Sequence, residues 1–125
     1  MAMDFEFLDS FDRKRILLVD DDPFILGVLE KLLGLLGLEA IVQANDGEQA
    51  LELLTEQAAD LLITDVQMPN MDGLSLLKRI RSGQSSAAAS LPCIVVSSLD
   101  DEATLATALA LDVNGFVQKP FKAPI

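Results

Sequence analysis

The chain has no histidine and one cysteine, Cys93, in 125 residues. Together these absences exclude a zinc site of the usual type, and a single thiol leaves no internal disulfide. Such cysteine usage fits a reducing cytosol. Basic residues are also scarce, with nine Lys and Arg against twenty Asp and Glu and a net charge of −11. That balance disfavours sequence-independent nucleic-acid binding and anionic membrane surfaces, and favours a protein-binding or cation-binding domain. No apolar stretch reaches the roughly 18 uninterrupted residues of a membrane span. Met1 to Arg15 carries Asp4, Glu6, Asp9 and Asp12 among its apolar residues, so it lacks the basic-then-apolar order of a signal peptide. A cytoplasmic location away from the membrane is expected.

What remains suits one globular domain with one buried core: 50% of residues are hydrophobic and 23% charged. The stretch that organises the rest is Ile16 to Asp22, Ile-Leu-Leu-Val-Asp-Asp-Asp. An apolar run of this kind reads as a strand buried on both faces, as in a parallel sheet. Its acids then fall outside the strand's carboxyl end, where open α/β sheets build their sites. Adjacent carboxylates repel by about 4 kcal/mol at ~4 Å and an effective dielectric of 20, so the cluster calls for a cation, or else some carboxyls stay protonated or point into water.

Pro23 suits a first helical turn with Asp22 as its cap, and Ile25, Val28, Leu29, Leu32 and Leu36 follow at helical spacing up to Gly37. A short second strand, Ala40 to Val42, leads to the turn Asn45-Asp46-Gly47. A second helix carries Ala50, Leu53, Leu54 and Ala58 on one face. Leu61 to Thr64 forms a third buried strand that ends in Asp65. After a turn-rich loop with Pro69 and Asn70, a third helix runs from Gly73 to Arg81. Ser82 to Ser90 reads as a flexible connector. Cys93 to Val96 is a fourth strand ending in Ser97 and Ser98, Asp100 to Leu111 an alanine-rich helix, and Phe116 to Gln118 a fifth strand before Lys119. This alternation predicts a doubly wound parallel sheet with helices on both faces.

The strand ends therefore carry Asp20 and Asp21, Asp65, Ser97 and Ser98, and Lys119. Oxygen ligands of this type suit Mg²⁺. A carboxylate can also be the nucleophile towards a phosphoryl group while a cation, a hydroxyl and a lysine neutralise the phosphoryl oxygens. Taken singly, each residue reads as a helix cap, a turn former or a solvated lysine. Their joint placement at one edge is what points to chemistry.

Over about Arg15 to Phe121 the chain resembles the receiver domains of two-component response regulators, through ILLVDDDP, NDGEQAL, DLLITDVQMPNMDGLSLL, IVVSS and NGFVQKPF. The resemblance implies an α/β fold with a doubly wound five-stranded parallel sheet in the flavodoxin-like order 2-1-3-4-5. It implies that Asp65 is the phospho-acceptor and that Asp20 and Asp21 form the acidic pair of an Mg²⁺ site. Gln67 would give a backbone carbonyl to the metal, Ser97 and Phe116 would be the switch residues, and Lys119 would pair with the acid or the phosphoryl group. By the same resemblance, Gln67 and Leu99 would hold positions that tune phosphoryl lifetime. The Lys119-Pro120 bond is expected to be cis. The implied partners are a sensor histidine kinase or phosphotransfer protein and a C-terminal effector domain. The domain itself would assist its own phosphoryl transfer and dephosphorylation without being an enzyme in the ordinary sense.

Two departures stand out. The family has a fifth helix after the Lys-Pro-Phe segment, whereas here only Lys122 to Ile125 follow, so the fifth helix is expected to be truncated or absent from a receiver domain of residues 15–125. Apolar surface would then be exposed around the first and fifth strands and the first helix, to be covered by the Phe-rich extension 1–14 or by a second copy in a homodimer. Asp112 stands at a helix end where glycine is usual. The competing readings are an unphosphorylated docking module, an Mg²⁺-dependent phosphohydrolase and a flavodoxin-like nucleotide binder. The docking module would lack an acid, hydroxyl or lysine, and none is missing. Hydrolases of the aspartate-nucleophile type place the nucleophile after the first strand, and Asp20 to Asp22 would repel a nucleotide phosphate there.

Overall fold

Five strands pair in parallel in the order β2-β1-β3-β4-β5 in the computed structural model, which describes residues 14–98 and 102–119. In chain order the elements are β1 (Ile16–Val19), α1 (Pro23–Leu35), β2 (Ile41–Ala44), α2 (Gly47–Glu56), β3 (Leu61–Asp65), α3 (Gly73–Arg81), β4 (Cys93–Ser97), α4 (Glu102–Ala110) and β5 (Gly115–Gln118). β1 lies between β2 and β3, pairing Ile16 with both Ile41 and Leu61. The reversal of strand order therefore falls beside β1, and the acids after β1 and β3 open onto one crevice. The N-terminal extension, Leu99, Asp100, Pro120 of the expected cis bond and the residues expected to replace a fifth helix lie outside the described residues.

The strands alternate their apolar residues between two cores. Leu17, Val19, Leu62, Cys93, Val95 and Phe116 join Ala50 and Leu54 of α2, Leu76, Leu77 and Ile80 of α3 and Ala108 of α4. Ile16, Leu18, Leu61, Ile63, Ile94 and Val96 join Leu26, Leu29 and Leu33 of α1 and Leu38 beyond it. Full burial of each such side chain is worth about 1.5–3 kcal/mol. Exposed apolar surface is expected around β1, but none of its four residues exceeds 2% exposure.

Aspartates start the first three helices. Asp22 accepts from Phe24 N–H with Pro23 in the first turn, Asp46 from Gln49 N–H, and Asp72 from Ser75 N–H. Asn45 to Gly47 is thus a helix entry rather than a free turn. The helix after it ends at Glu56, leaving Ala58 exposed and off the face expected for it. On α1 the buried stripe is Leu26, Leu29 and Leu33, while Ile25, Val28, Leu32 and Leu36 are only half-buried. The apolar content of α1 extends nearly around the helix, so periodicity did not single out the inner face.

α1, α3 and α4 end in the same paired hydrogen bonds. Leu38 N–H reaches Leu33 O and Gly37 N–H reaches Gly34 O, Gln84 and Gly83 do the same at Arg79 and Ile80, and Val113 and Asp112 at Ala108 and Leu109. The closing residue is Gly37 at φ +86°, Gly83 at +79° and Asp112 at +57°. Asp112 therefore takes the left-handed conformation usually left to glycine. The expected connector after α3 is tied at its far end by Arg81, whose guanidinium donates to the carbonyls of Ala89 and Leu91 and to those of Leu111 and Asp112.

Candidate functional site

Three strand ends converge on one polar centre. Asp20 follows β1, Asp65 closes β3 and Lys119 follows β5. Lys119 Nζ donates to Asp20 Oδ2 at 2.8 Å and lies 3.4 Å from Asp65 Oδ2. Asp20 and Asp65 are buried, whereas Asp21 faces solvent. Carboxylate oxygens of Asp20, Asp21 and Asp65 all lie within 4.8 Å of one another. Three oxygen donors at that spacing, two of them withdrawn from water, fit a hard cation.

The second oxygens are also occupied. Asp20 Oδ1 accepts from Asp22 N–H at 2.9 Å, and Asp65 Oδ1 accepts from Val66 N–H at 2.8 Å. Each buried carboxylate is thus fixed by a backbone amide on one oxygen while the other turns towards Lys119. Burial, and then the charge of Asp20, raise the Asp65 pKa above the ordinary carboxylate value against the opposing pull of Lys119 and Val66 N–H. Burial alone would lower the Lys119 ammonium, but its hydrogen bond to Asp20 and the charges of Asp65 and Asp20 outweigh it and raise the pKa.

The remaining candidates occupy neighbouring positions. Gln67 lines an exposed cleft with Asp21, Val66, Met68, Pro69 and Asp72. Ser97 is buried at the end of β4, and its carbonyl accepts Lys119 N–H at 2.8 Å, which fixes the backbone from which the lysine reaches inward. Phe116 lies on the α2–α4 face, registered against Val95 and 9% exposed. Asp22 sits outside the cluster as the α1 cap.

Sequence reasoning did not single out the residues that hold the Asp65 backbone. Thr64 Oγ1 donates to Asp65 O at 2.9 Å. Gly73 lies so close that a Cβ there would stand 1.9 Å from the same oxygen, and its N–H closes the loop onto Val66 O at 2.9 Å. The loop is also held from the side: Asn70, at φ +67°, donates to Asp46 Oδ2 at 2.8 Å, and Gly47 N–H reaches Met71 O. These amide bonds hold Asp46 below the usual carboxylate range, first through Gln49 N–H and then through Asn70. The pairs Pro69-Asn70 and Asp72-Gly73 signal a turn and a helix start, but nothing local shows that Asn70 reaches Asp46 or that Gly73 presses against Asp65.

The family described as the response regulator receiver domain matches residues 16–124. The chain belongs to this family. Among curated relatives of the receiver domain, the chemotaxis protein CheY of Bacillus subtilis is 35% identical over 109 residues, covering 87% of this chain and 88% of the relative. The transcriptional regulatory protein CpxR of Escherichia coli is 38% identical over 107 residues, covering 86% of the chain and 43% of CpxR. The chain spans less than half the length of the transcriptional regulators it matches. A solved receiver domain of the Francisella response regulator 1452 superposes with a TM-score of 0.77 at 29% identity, covering 88% of this chain and 87% of that one. Receiver domains are signalling domains rather than classical enzymes. Among the described residues no helix is long and apolar enough to cross a membrane.

Proposed function

We propose that this receiver domain, residues 15–125 behind an extension of residues 1–14, accepts a phosphoryl group on Asp65 in an Mg²⁺-dependent reaction. The observation that carries the proposal is the buried Asp65 carboxylate beside Asp20, Asp21 and Lys119. The donor is a phosphohistidine on a sensor kinase or phosphotransfer protein. An Asp65 oxygen forms the new P–O bond as the P–N bond breaks, and its electron pair leaves with the imidazole.

The structure supports separate tasks for the surrounding side chains. Val66 N–H anchors Asp65 Oδ1, so Oδ2 is the oxygen better placed for attack. Asp20, Asp21, Asp65 and the Gln67 carbonyl would hold Mg²⁺, which when bound supplies positive charge against the phosphoryl oxygens. Lys119 offers a second cation from the β5 side, and Ser97 a hydroxyl from β4.

Phosphorylation replaces the single carboxylate charge of Asp65 by a phosphoryl group of about −1.5 to −2, with new acceptor oxygens, beside Lys119 and Ser97. Ser97 and Phe116 then move inward as the switch, and α4, with Leu105 and Leu109 partly exposed, reports the change. The readout passes to an effector domain or partner protein in the cytoplasm. The domain also assists hydrolysis of its own phosphoaspartate, at a rate tuned by Gln67 and Leu99.

The test is incubation with Mg²⁺ and acetyl phosphate, or with a beryllofluoride mimic, comparing the natural chain with Asp65→Asn. One label per chain and a spectral change that both require Asp65 are expected. Equal responses from the two chains would overturn the assignment.

A further inference from the structure

The two faces of the sheet are covered unequally by the described elements. α2, α3 and α4 pack on one face and α1 alone on the other. Five strands at about 4.8 Å spacing make a sheet roughly 19 Å wide, and a helix with its side chains covers about 10 Å of it. α1 packs chiefly on β1. As the crossover from β1 to β2 it belongs to that half of the sheet. β4 lies two strands away, about 10 Å further across.

Ile94 and Val96 point from β4 to the α1 face, yet each is only 1% exposed. Val117 of β5, paired with Val96, is half-buried and packed against the apolar cluster of the same face. One helix over β1 does not account for this, so a second apolar cover is required. We propose that residues 1–13 of the same chain supply it, docking by Phe7, Leu8 and Phe11 over Ile94, Val96 and Val117.

Three observations favour this segment. It holds Phe5, Phe7 and Phe11, half of the six phenylalanines in the chain. Phe7, Leu8 and Phe11 stand at i, i+1 and i+4, a spacing that in a helix would put them on one side together with Asp4, and Glu6, Asp9 and Arg13 on the other. Its exit point is also fixed: Arg15 N–H donates to Asp60 Oδ2 at 2.8 Å, and Arg15 O accepts Asp60 N–H at 2.8 Å. The segment therefore leaves from the boundary of β1 and β3, beside the half of the sheet that α1 does not reach. Thirteen residues in a helix extend about 20 Å, longer than strands of four or five residues at about 3.3 Å each. Residues 120–125 are a poorer candidate, because Pro120 and Pro124 interrupt a stretch whose only large apolar side chains are Phe121 and Ile125.

The test uses the intact chain with protonated phenylalanine rings and labelled Ile and Val methyls in a deuterated background. Nuclear Overhauser cross-peaks from the Phe7 and Phe11 rings to the Ile94 and Val96 methyls are expected within one molecule. Cross-peaks from Phe121 in their place, or ones seen only between differently labelled copies, would overturn the proposal, as would none at all. A Phe7→Ser and Phe11→Ser chain is expected to unfold at lower urea, with faster amide exchange in β4. An unchanged urea midpoint would also count against it. Neither readout depends on phosphorylation at Asp65.

Discussion

Lys119 Nζ stands 2.8 Å from Asp20 Oδ2, joining two residues 99 positions apart in the chain. The ammonium offsets the mutual repulsion of Asp20 and Asp65, which are both buried. Replacing it in Lys119→Met should cost about 1.5–3 kcal/mol, as expected for losing a hydrogen bond to a charged group. Added Mg²⁺ should stabilise this variant more than the natural chain, because the metal then supplies the missing positive charge. Urea melts with and without Mg²⁺ check both effects. Equal Mg²⁺ responses would show that Lys119 does not balance the carboxylates.

Two glycines should respond to the same substitution in opposite directions. Gly73→Ala forces a Cβ against Asp65 O, so it should destabilise the chain by about 1–3 kcal/mol and slow labelling of Asp65. Gly27→Ala lies within α1 with nothing within 4 Å of the new Cβ, and it should stabilise by about 0.5–1 kcal/mol. Melting curves together with acetyl phosphate labelling distinguish a general loss of fold from displacement of the acceptor.

Arg81 binds the end of α3 to the strand entry at Leu91 and to the turn after α4 through four carbonyls. A lysine carries one ammonium and cannot reproduce the planar fork. Arg81→Lys should therefore lower stability by about 1–3 kcal/mol and speed amide exchange at Val113 and Asn114 ahead of β1. Uniform acceleration across the sheet would indicate that Arg81 acts on global stability alone.

Burial pushes the Cys93 thiol up to about 11 from 9.0, outweighing the opposing influence of Arg81. Thiol reagents should therefore react slowly with the folded chain at pH 8 and rapidly after unfolding. A raised folded pKa means that the unfolded thiol ionises first. Its contribution is fully present below pH 9.0 and is lost as pH rises towards about 11. The stability difference between the natural chain and Cys93→Ala should shrink over that window by at most about 2–3 kcal/mol. A constant difference would mean that the buried thiol does not couple to folding.

The legible parts of the molecule were those carried by local pattern. Short apolar runs located all five strands, and the four-residue runs of β1, β3 and β4 marked those three as buried. The Gly73–Arg81 helix had the expected bounds, because Asp72-Gly73 starts it and a basic last turn ends it. α1 was placed correctly, but of its inner face only Leu29 was picked out, since a leucine-rich helix offers several apolar stripes. Asp112 was legible as an odd helix end, and its positive φ is the form that oddity takes. The loop contacts of Asn70 with Asp46 and of Gly73 with Asp65 had no sequence signal, because each joins segments whose distance is set by the sheet.

By itself, the amino-acid order determined which residues stand at strand ends: acids after β1 and β3, a serine at the end of β4 and a lysine after β5. Side-chain alternation and strand length are local properties, so that much follows from one-dimensional information. Asp22 as the cap before Pro23 was legible in the same way. Only the tertiary structure decided that Asp20, Asp65 and Lys119 share one centre, with Lys119 Nζ 2.8 Å from Asp20 Oδ2 and 3.4 Å from Asp65 Oδ2. The order of strands in the sheet sets those distances, and a difference of one or two residues along the chain decides whether a carboxylate faces the crevice or the first turn of α1.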